Sequence, residues 1–159
     1  MFEAFYEMSA TPFARGIPSS ELYMPPELSE VENRLKYVAE RQLFAVLTGD
    51  CGTGKTTILR RFADDLDPNR YKFLYISDSK LTPRNFYRVL LGQLGFAARY
   101  NRGDAKRQLH EEIEILRAVQ GIQPACVCDE CHLMDREMLE EIRFVLNTHL
   151  DAQSPMGLI

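Results

Sequence analysis

The chain has 159 residues, 45% hydrophobic and 26% charged, which suits one globular domain with its own core and is too short for two. A net charge of −4 excludes a protein that holds nucleic acid through an overall basic surface. No apolar run is long enough to cross a bilayer, and the first residues, Met1-Phe2-Glu3-Ala4-Phe5-Tyr6-Glu7, carry acids where an export leader carries basic residues. A cytoplasmic protein is expected, with Cys51, Cys126, Cys128 and Cys131 as free thiols.

Residues up to about 25 are rich in aromatics and proline (Phe5, Tyr6, Pro12, Phe13, Pro18, Tyr23, Pro25, Pro26), which predicts an ordered arm over the domain and no long helix. Ser29-Glu30-Val31-Glu32 reads as a capping box that opens a helix over about 30–41, with Val31, Leu35 and Val38 on one face. Leu43-Phe44-Ala45-Val46-Leu47-Thr48 is continuously apolar until its last residue, the pattern of a strand buried on both faces. A helix of about 55–66 turns Ile58, Leu59, Phe62 and Leu66 inward and ends at Asp67-Pro68-Asn69. A second strand is expected at Tyr71-Lys72-Phe73-Leu74-Tyr75-Ile76. Thr82 as N-cap and Pro83 at the first helical position start a helix that Gly95 stops after Leu94.

A further helix over about 104–119 turns Leu109, Ile113 and Leu116 inward. Pro124-Ala125-Cys126-Val127-Cys128-Asp129 is a third apolar strand ending in an acid. Asp135 caps the next helix, Met134 and Leu139 staple its start, and Leu139, Ile142, Val145 or Leu146, and Leu150 face inward. Met156-Gly157-Leu158-Ile159 begins a fourth strand. Strands alternating with helices predict an α/β fold in three layers, α/β/α, around a parallel sheet.

Gly49, Asp50, Cys51, Gly52, Thr53, Gly54, Lys55 and Thr56 match the phosphate-binding loop G-x-x-x-x-G-K-[ST] in full. Glycines let the backbone turn its N–H groups onto phosphate oxygens, and the following helix adds its positive end. Lys55 is expected to bridge the β- and γ-phosphates of ATP and the Thr56 hydroxyl to ligate Mg²⁺. Cys126-Val127-Cys128-Asp129-Glu130 supplies the second element. An acid at the carboxyl end of a buried parallel strand faces the crevice where ligands bind. Asp129 is expected to hold Mg²⁺ and Glu130 to polarise the attacking water. The same stretch matches the haem-attachment pattern C-x-x-C-H and offers a zinc set of Cys126, Cys128, Cys131 and His132. Both are disfavoured, the first because haem attachment needs export, the second because alternate strand residues do not converge tetrahedrally.

Thr11-Pro12-Phe13, Leu22-Tyr23, the run from Leu47 to Thr57, Thr82-Pro83-Arg84-Asn85-Phe86-Tyr87, Asp129-Glu130-Cys131-His132-Leu133-Met134 and Leu139-Glu140-Glu141-Ile142-Arg143 carry a resemblance that runs nearly end to end. The chain resembles the ExeA-like bacterial AAA+ ATPases, a group similar to the DNA-transposition helper ATPases of the MuB, IstB and TniB kind. The resemblance implies an arm and leading helix over 1–41 and a C-terminally incomplete P-loop core over 42–159. It also implies ATP and Mg²⁺ as ligands, Thr57 joining the nucleotide-binding loop, and self-oligomerisation. Duplex DNA and a transposase are implied partners, with Arg60-Arg61 and Arg99, Arg102, Lys106 and Arg107 as local support. A secretion-associated role is the other branch. A sensor residue, a fifth strand, a trans-acting arginine and a helical lid would all lie beyond residue 159, so this stretch alone is expected to hydrolyse ATP poorly. Asp129-Glu130-Cys131-His132 also fits the D-E-x-H box of superfamily 2 helicases, the alternative from another class.

Overall fold

The computed structural model describes residues 2–8, 11, 16–78, 80–147 and 154–159. Its elements are α1 (Phe2–Phe5), a 3-10 turn at Ser19–Glu21, α2 (Pro26–Arg41), α3 (Lys55–Asp65), β1 (Tyr71–Ile76), α4 (Pro83–Leu94), α5 (Arg102–Gln120), β2 (Gln123–Cys128), a 3-10 turn at Cys131–Leu133, α6 (Arg136–Leu146) and β3 (Gly157–Leu158).

The strands lie parallel in the order β1-β2-β3. Tyr71 stands opposite Gln123 and Ile76 opposite Cys128; Ala125 and Cys126 stand opposite Gly157 and Leu158. Beyond β3, Phe44 bridges Leu158 in parallel, through Ala45 N–H to Leu158 O (2.9 Å) and Leu158 N–H to Leu43 O (2.9 Å). The phosphate-loop segment therefore borders β3.

Because side chains alternate along a strand, β1 and β2 each serve two cores. Leu74, Ile76, Cys126 and Cys128 pack with Phe86, Tyr87, Leu90, Leu109, Ile113, Met138 and Val145 from α4, α5 and α6. Phe73, Tyr75, Ala125 and Val127 pack with Leu35, Val38, Ile58 and Phe62 from α2 and α3. Each fully buried Leu or Phe of this kind contributes about 1.5–3 kcal/mol. The three-layer α/β/α arrangement expected from the sequence is present.

Local signals held where a cap fixed them. Thr82 accepts from Asn85 N–H and Gly95 closes α4 in the left-handed region; Asp135 accepts from Met138 N–H at the start of α6. Three expectations are corrected. The leading helix starts at Pro26, not after Ser29, because a proline at N1 brings its own helical φ and has no N–H to leave unpaired. Glu32, the acid of the supposed capping box, is instead buried and ion-paired with Arg61 at 2.8 Å. The run 43–48 is not a strand buried on both faces. β3 offers it one bridge, and Phe44 and Val46 are 59% and 60% exposed. In α6 the expected Ile142 and Val145 are buried together with Met138 and Glu141, while Leu139, expected inward, is 51% exposed. Leu150, assigned inward from the sequence, lies outside the described residues, as do Pro12 and Phe13 of the arm. The arm meets the domain where Arg60 donates to Ile17 O, Arg61 donates to Ser19 O and Met24 packs against the second core, whereas Phe5, Tyr6 and Tyr23 are exposed.

Candidate phosphate-binding groove

α3 begins at Lys55 directly from the loop, with Gly54 as its N-cap at φ +88° and no side chain capping its first turn. Gly54 and Gly52 (φ +83°) occupy backbone conformations that L side chains rarely adopt. Gly49 is required for another reason: a Cβ there would stand 2.9 Å from Thr53 Oγ1. That hydroxyl donates to Asp50 O at 2.9 Å and closes the loop on itself. The Lys55 ammonium donates to Gly49 O (2.7 Å) and Asp50 O (2.8 Å), so it lies across the loop it is expected to serve.

Asp129 and Glu130 follow β2 at the carboxyl end of the sheet. Asp129 N–H donates to Ile76 O at 2.8 Å, prolonging the β1–β2 pairing by one residue. Its carboxylate is held from two sides: Tyr75 OH donates to Oδ2 at 2.8 Å and Glu130 N–H to Oδ1 at 2.9 Å. Burial, and then the Asp129 carboxylate beside it, push the Tyr75 phenol up to about 12, so it remains a donor at neutral pH. Glu130 sits at φ +53°, a strained conformation of the kind that gathers at functional sites, and its carboxylate lies 3.3 Å from His132 Nδ1.

A groove of about 1540 Å³ is lined by both elements, by Gly49, Cys51 and Lys55 of the loop and by Asp129, Glu130 and His132 after β2. Asp50, Gly52, Thr53, Gly54, Thr56 and Thr57 belong to the loop and the first turn of α3 without lining that groove. The donor set fits Mg²⁺. Thr56 offers a hydroxyl and Asp129 an oriented carboxylate, and Mg²⁺ in nucleotide sites takes one or two protein oxygens alongside substrate phosphates. Among the described residues no group of three His, Cys, Asp or Glu side chains gathers into a metal cage. Of the cysteines in the zinc and haem patterns, Cys126 and Cys128 are buried and Cys131 is exposed.

The basic clusters singled out from the sequence face other parts of the chain. Arg61 pairs with Glu32, Arg102 with Glu137 and Glu141, Lys106 with Glu141, Arg107 with Asp104 and Arg99 with Glu111. Tyr75 and Gln93 escaped the sequence reading. A tyrosine in a strand and a glutamine in a helix carry no local mark of what they will touch.

Parallel strands, a glycine loop opening a helix and two acids at the sheet's carboxyl end define a P-loop nucleotide-binding domain. The family model of the AAA domain matches residues 38–159, and the chain belongs to that family of ATPase domains. Over its whole length the chain is also 25% identical to the General secretion pathway protein A of Aeromonas hydrophila, of which it spans 29%. Among the described residues no helix is long and apolar enough to cross a membrane.

Proposed function

We propose that this domain, an arm and leading helix over 1–41 joined to a core over 42–159, binds ATP with Mg²⁺ and hydrolyses it. One observation carries the reading: Lys55, Asp129 and Glu130 line a single groove. In this reading the N–H groups of residues 49–57 hold the phosphate chain, and Lys55 exchanges its two carbonyl acceptors for phosphate oxygens. Thr56 and Asp129 hold Mg²⁺, which when bound offsets charge on the phosphate oxygens. Glu130, whose carboxylate lies 3.3 Å from His132 Nδ1, takes the proton of the attacking water.

The similarity to a secretion-pathway protein favours an ATPase coupled to secretion, and a cytoplasmic, self-oligomerising protein is part of the same proposal. A transposition helper working on duplex DNA with a transposase is the competing use, and the ion pairs that engage Arg61, Arg102, Lys106 and Arg107 leave it little local charge support. Single-turnover release of phosphate from labelled ATP, with Mg²⁺ or EDTA and with or without duplex DNA, tests both. Mg²⁺-dependent release that is slow, as expected of this stretch alone, and unaffected by DNA is the expected result. No release under any condition would overturn the hydrolytic reading, and DNA stimulation would restore the transposition branch.

A further inference from the structure

The acid that follows β2 is not free to choose its own orientation. Of its two oxygens, Oδ1 is fixed by the next residue's N–H, an interaction within its own turn, and Oδ2 by the phenol of Tyr75 on the neighbouring strand. Tyr75 is in turn gripped by α4. Gln93 accepts from Tyr75 N–H at 2.8 Å and donates to Tyr75 O at 2.7 Å, so one side-chain amide pairs with both backbone groups of one residue. β1 stands at the end of the sheet, with β2 on its one paired side, and the Gln93 amide occupies the place where another strand's peptide group would pair. The polar chain therefore runs from helix α4 through the edge of the sheet to the candidate Mg²⁺ acid. Tyr75 is half-buried beside Phe73, whose ring stacks on it at 6.4 Å and limits its swing.

We propose that Tyr75 and Gln93 form a positioning pair for the nucleotide site: Gln93 locks the strand edge, and the Tyr75 hydroxyl sets the Asp129 carboxylate in the orientation that receives the Mg²⁺ of the nucleotide. The proposal rests on the reading of Asp129 given above. Neither residue touches the nucleotide. Partners that orient a ligating carboxylate in this way typically change metal affinity by about 10- to 100-fold when removed. Phe at position 75 keeps the ring and its stacking on Phe73 and deletes the one oxygen that reaches Asp129.

The test is a Mg²⁺ titration of fluorescent ATP-analogue binding to the 159-residue chain, with binding in EDTA as the internal control. Tyr75→Phe is expected to raise the half-saturating Mg²⁺ about tenfold while leaving binding in EDTA unchanged. A generally damaged fold would lower both. Gln93→Leu, which keeps the phenol but releases the strand edge, is expected to shift Mg²⁺ in the same direction, and it carries the test alone if Tyr75→Phe does not fold. Unchanged Mg²⁺ dependence in these variants, with Asp129→Asn shifting it, overturns the positioning role and leaves the site reading standing. If Asp129→Asn also leaves it unchanged, the site reading fails and this proposal falls with it.

Discussion

Glu141 is the least expected residue of the core, and removing it is the sharpest test of how the helical layer on one face of the sheet is held. Its side chain is 3% exposed, and it accepts from the hydroxyl of fully buried Tyr87 on α4 and from the Arg102 guanidinium on α5, with Lys106 Nζ 3.5 Å away. Glu141→Ala leaves the Tyr87 hydroxyl with no acceptor, at about 1–3 kcal/mol. The half-exposed Arg102 pair adds at most about 1 kcal/mol, and the one lost methylene about 1 kcal/mol more. The total is about 2–5 kcal/mol. For a chain of this size that is a fall in Tm of about 4–20 °C.

Urea unfolding followed by circular dichroism measures the cost. The cycle with Tyr87→Phe isolates the contact, and the double variant is expected to fall short of the sum of the singles by at least about 1 kcal/mol. The pH dependence has a definite sign. Burial alone would raise the Glu141 carboxyl, but the Tyr87 hydroxyl and Arg102 hold it below its ordinary value. Its stabilising contribution is therefore complete above the ordinary carboxylate range and is lost as pH falls through the lower folded value. The gap between wild type and Glu141→Ala should be widest at pH 7 and narrow in acid. Additive single variants, or a gap that widens in acid, would refute the reasoning.

Two further outcomes follow from local geometry. Glu130→Gln should bind ATP as wild type does and release phosphate about 100-fold more slowly, as single-turnover kinetics would show; equal rates would remove Glu130 as the base. Gly157→Ala should destabilise the domain by about 1–3 kcal/mol in urea unfolding, because its new methyl would stand 3.1 Å from both Ala39 Cα and Val38 O, where β3 crosses the backbone of α2; unchanged stability would mean that this approach relaxes freely.

The phosphate loop, the paired acids and the capped helices were legible in the sequence because each is written in neighbouring residues. Thr82 with Pro83, and Asp135 alone, fixed helix starts that the structure reproduces. Position 26 was misread because proline was taken only as a helix breaker, when at N1 it is a helix starter. The inward face of α6 was read correctly at Ile142 and Val145 but wrongly at Leu139, for a different reason. Met138, Ile142 and Val145 make a valid stripe, but it carries Glu141, and a buried carboxylate is expected only once Tyr87 and Arg102, far away in sequence, are known to meet it. The strand at 43–48 looked doubly buried from its composition alone, which records apolar character and not which neighbours lie beside it. The tie from Gln93 through Tyr75 to Asp129 joins α4, β1 and the turn after β2, and no period in the sequence encodes it.

The central claim, that the loop from Gly49 to Thr57 is an ATP site, is tested most directly by calorimetric titration of MgATP into wild type and Lys55→Ala. Lys55 is the loop's one side-chain cation, and it would exchange Gly49 O and Asp50 O for phosphate oxygens. Charge-assisted bonds of that kind contribute about 1.5–3 kcal/mol, so the variant is expected to bind about 10- to 150-fold more weakly, with an unchanged fold by circular dichroism. Equal affinity in the two proteins, or no binding to wild type, would contradict the account.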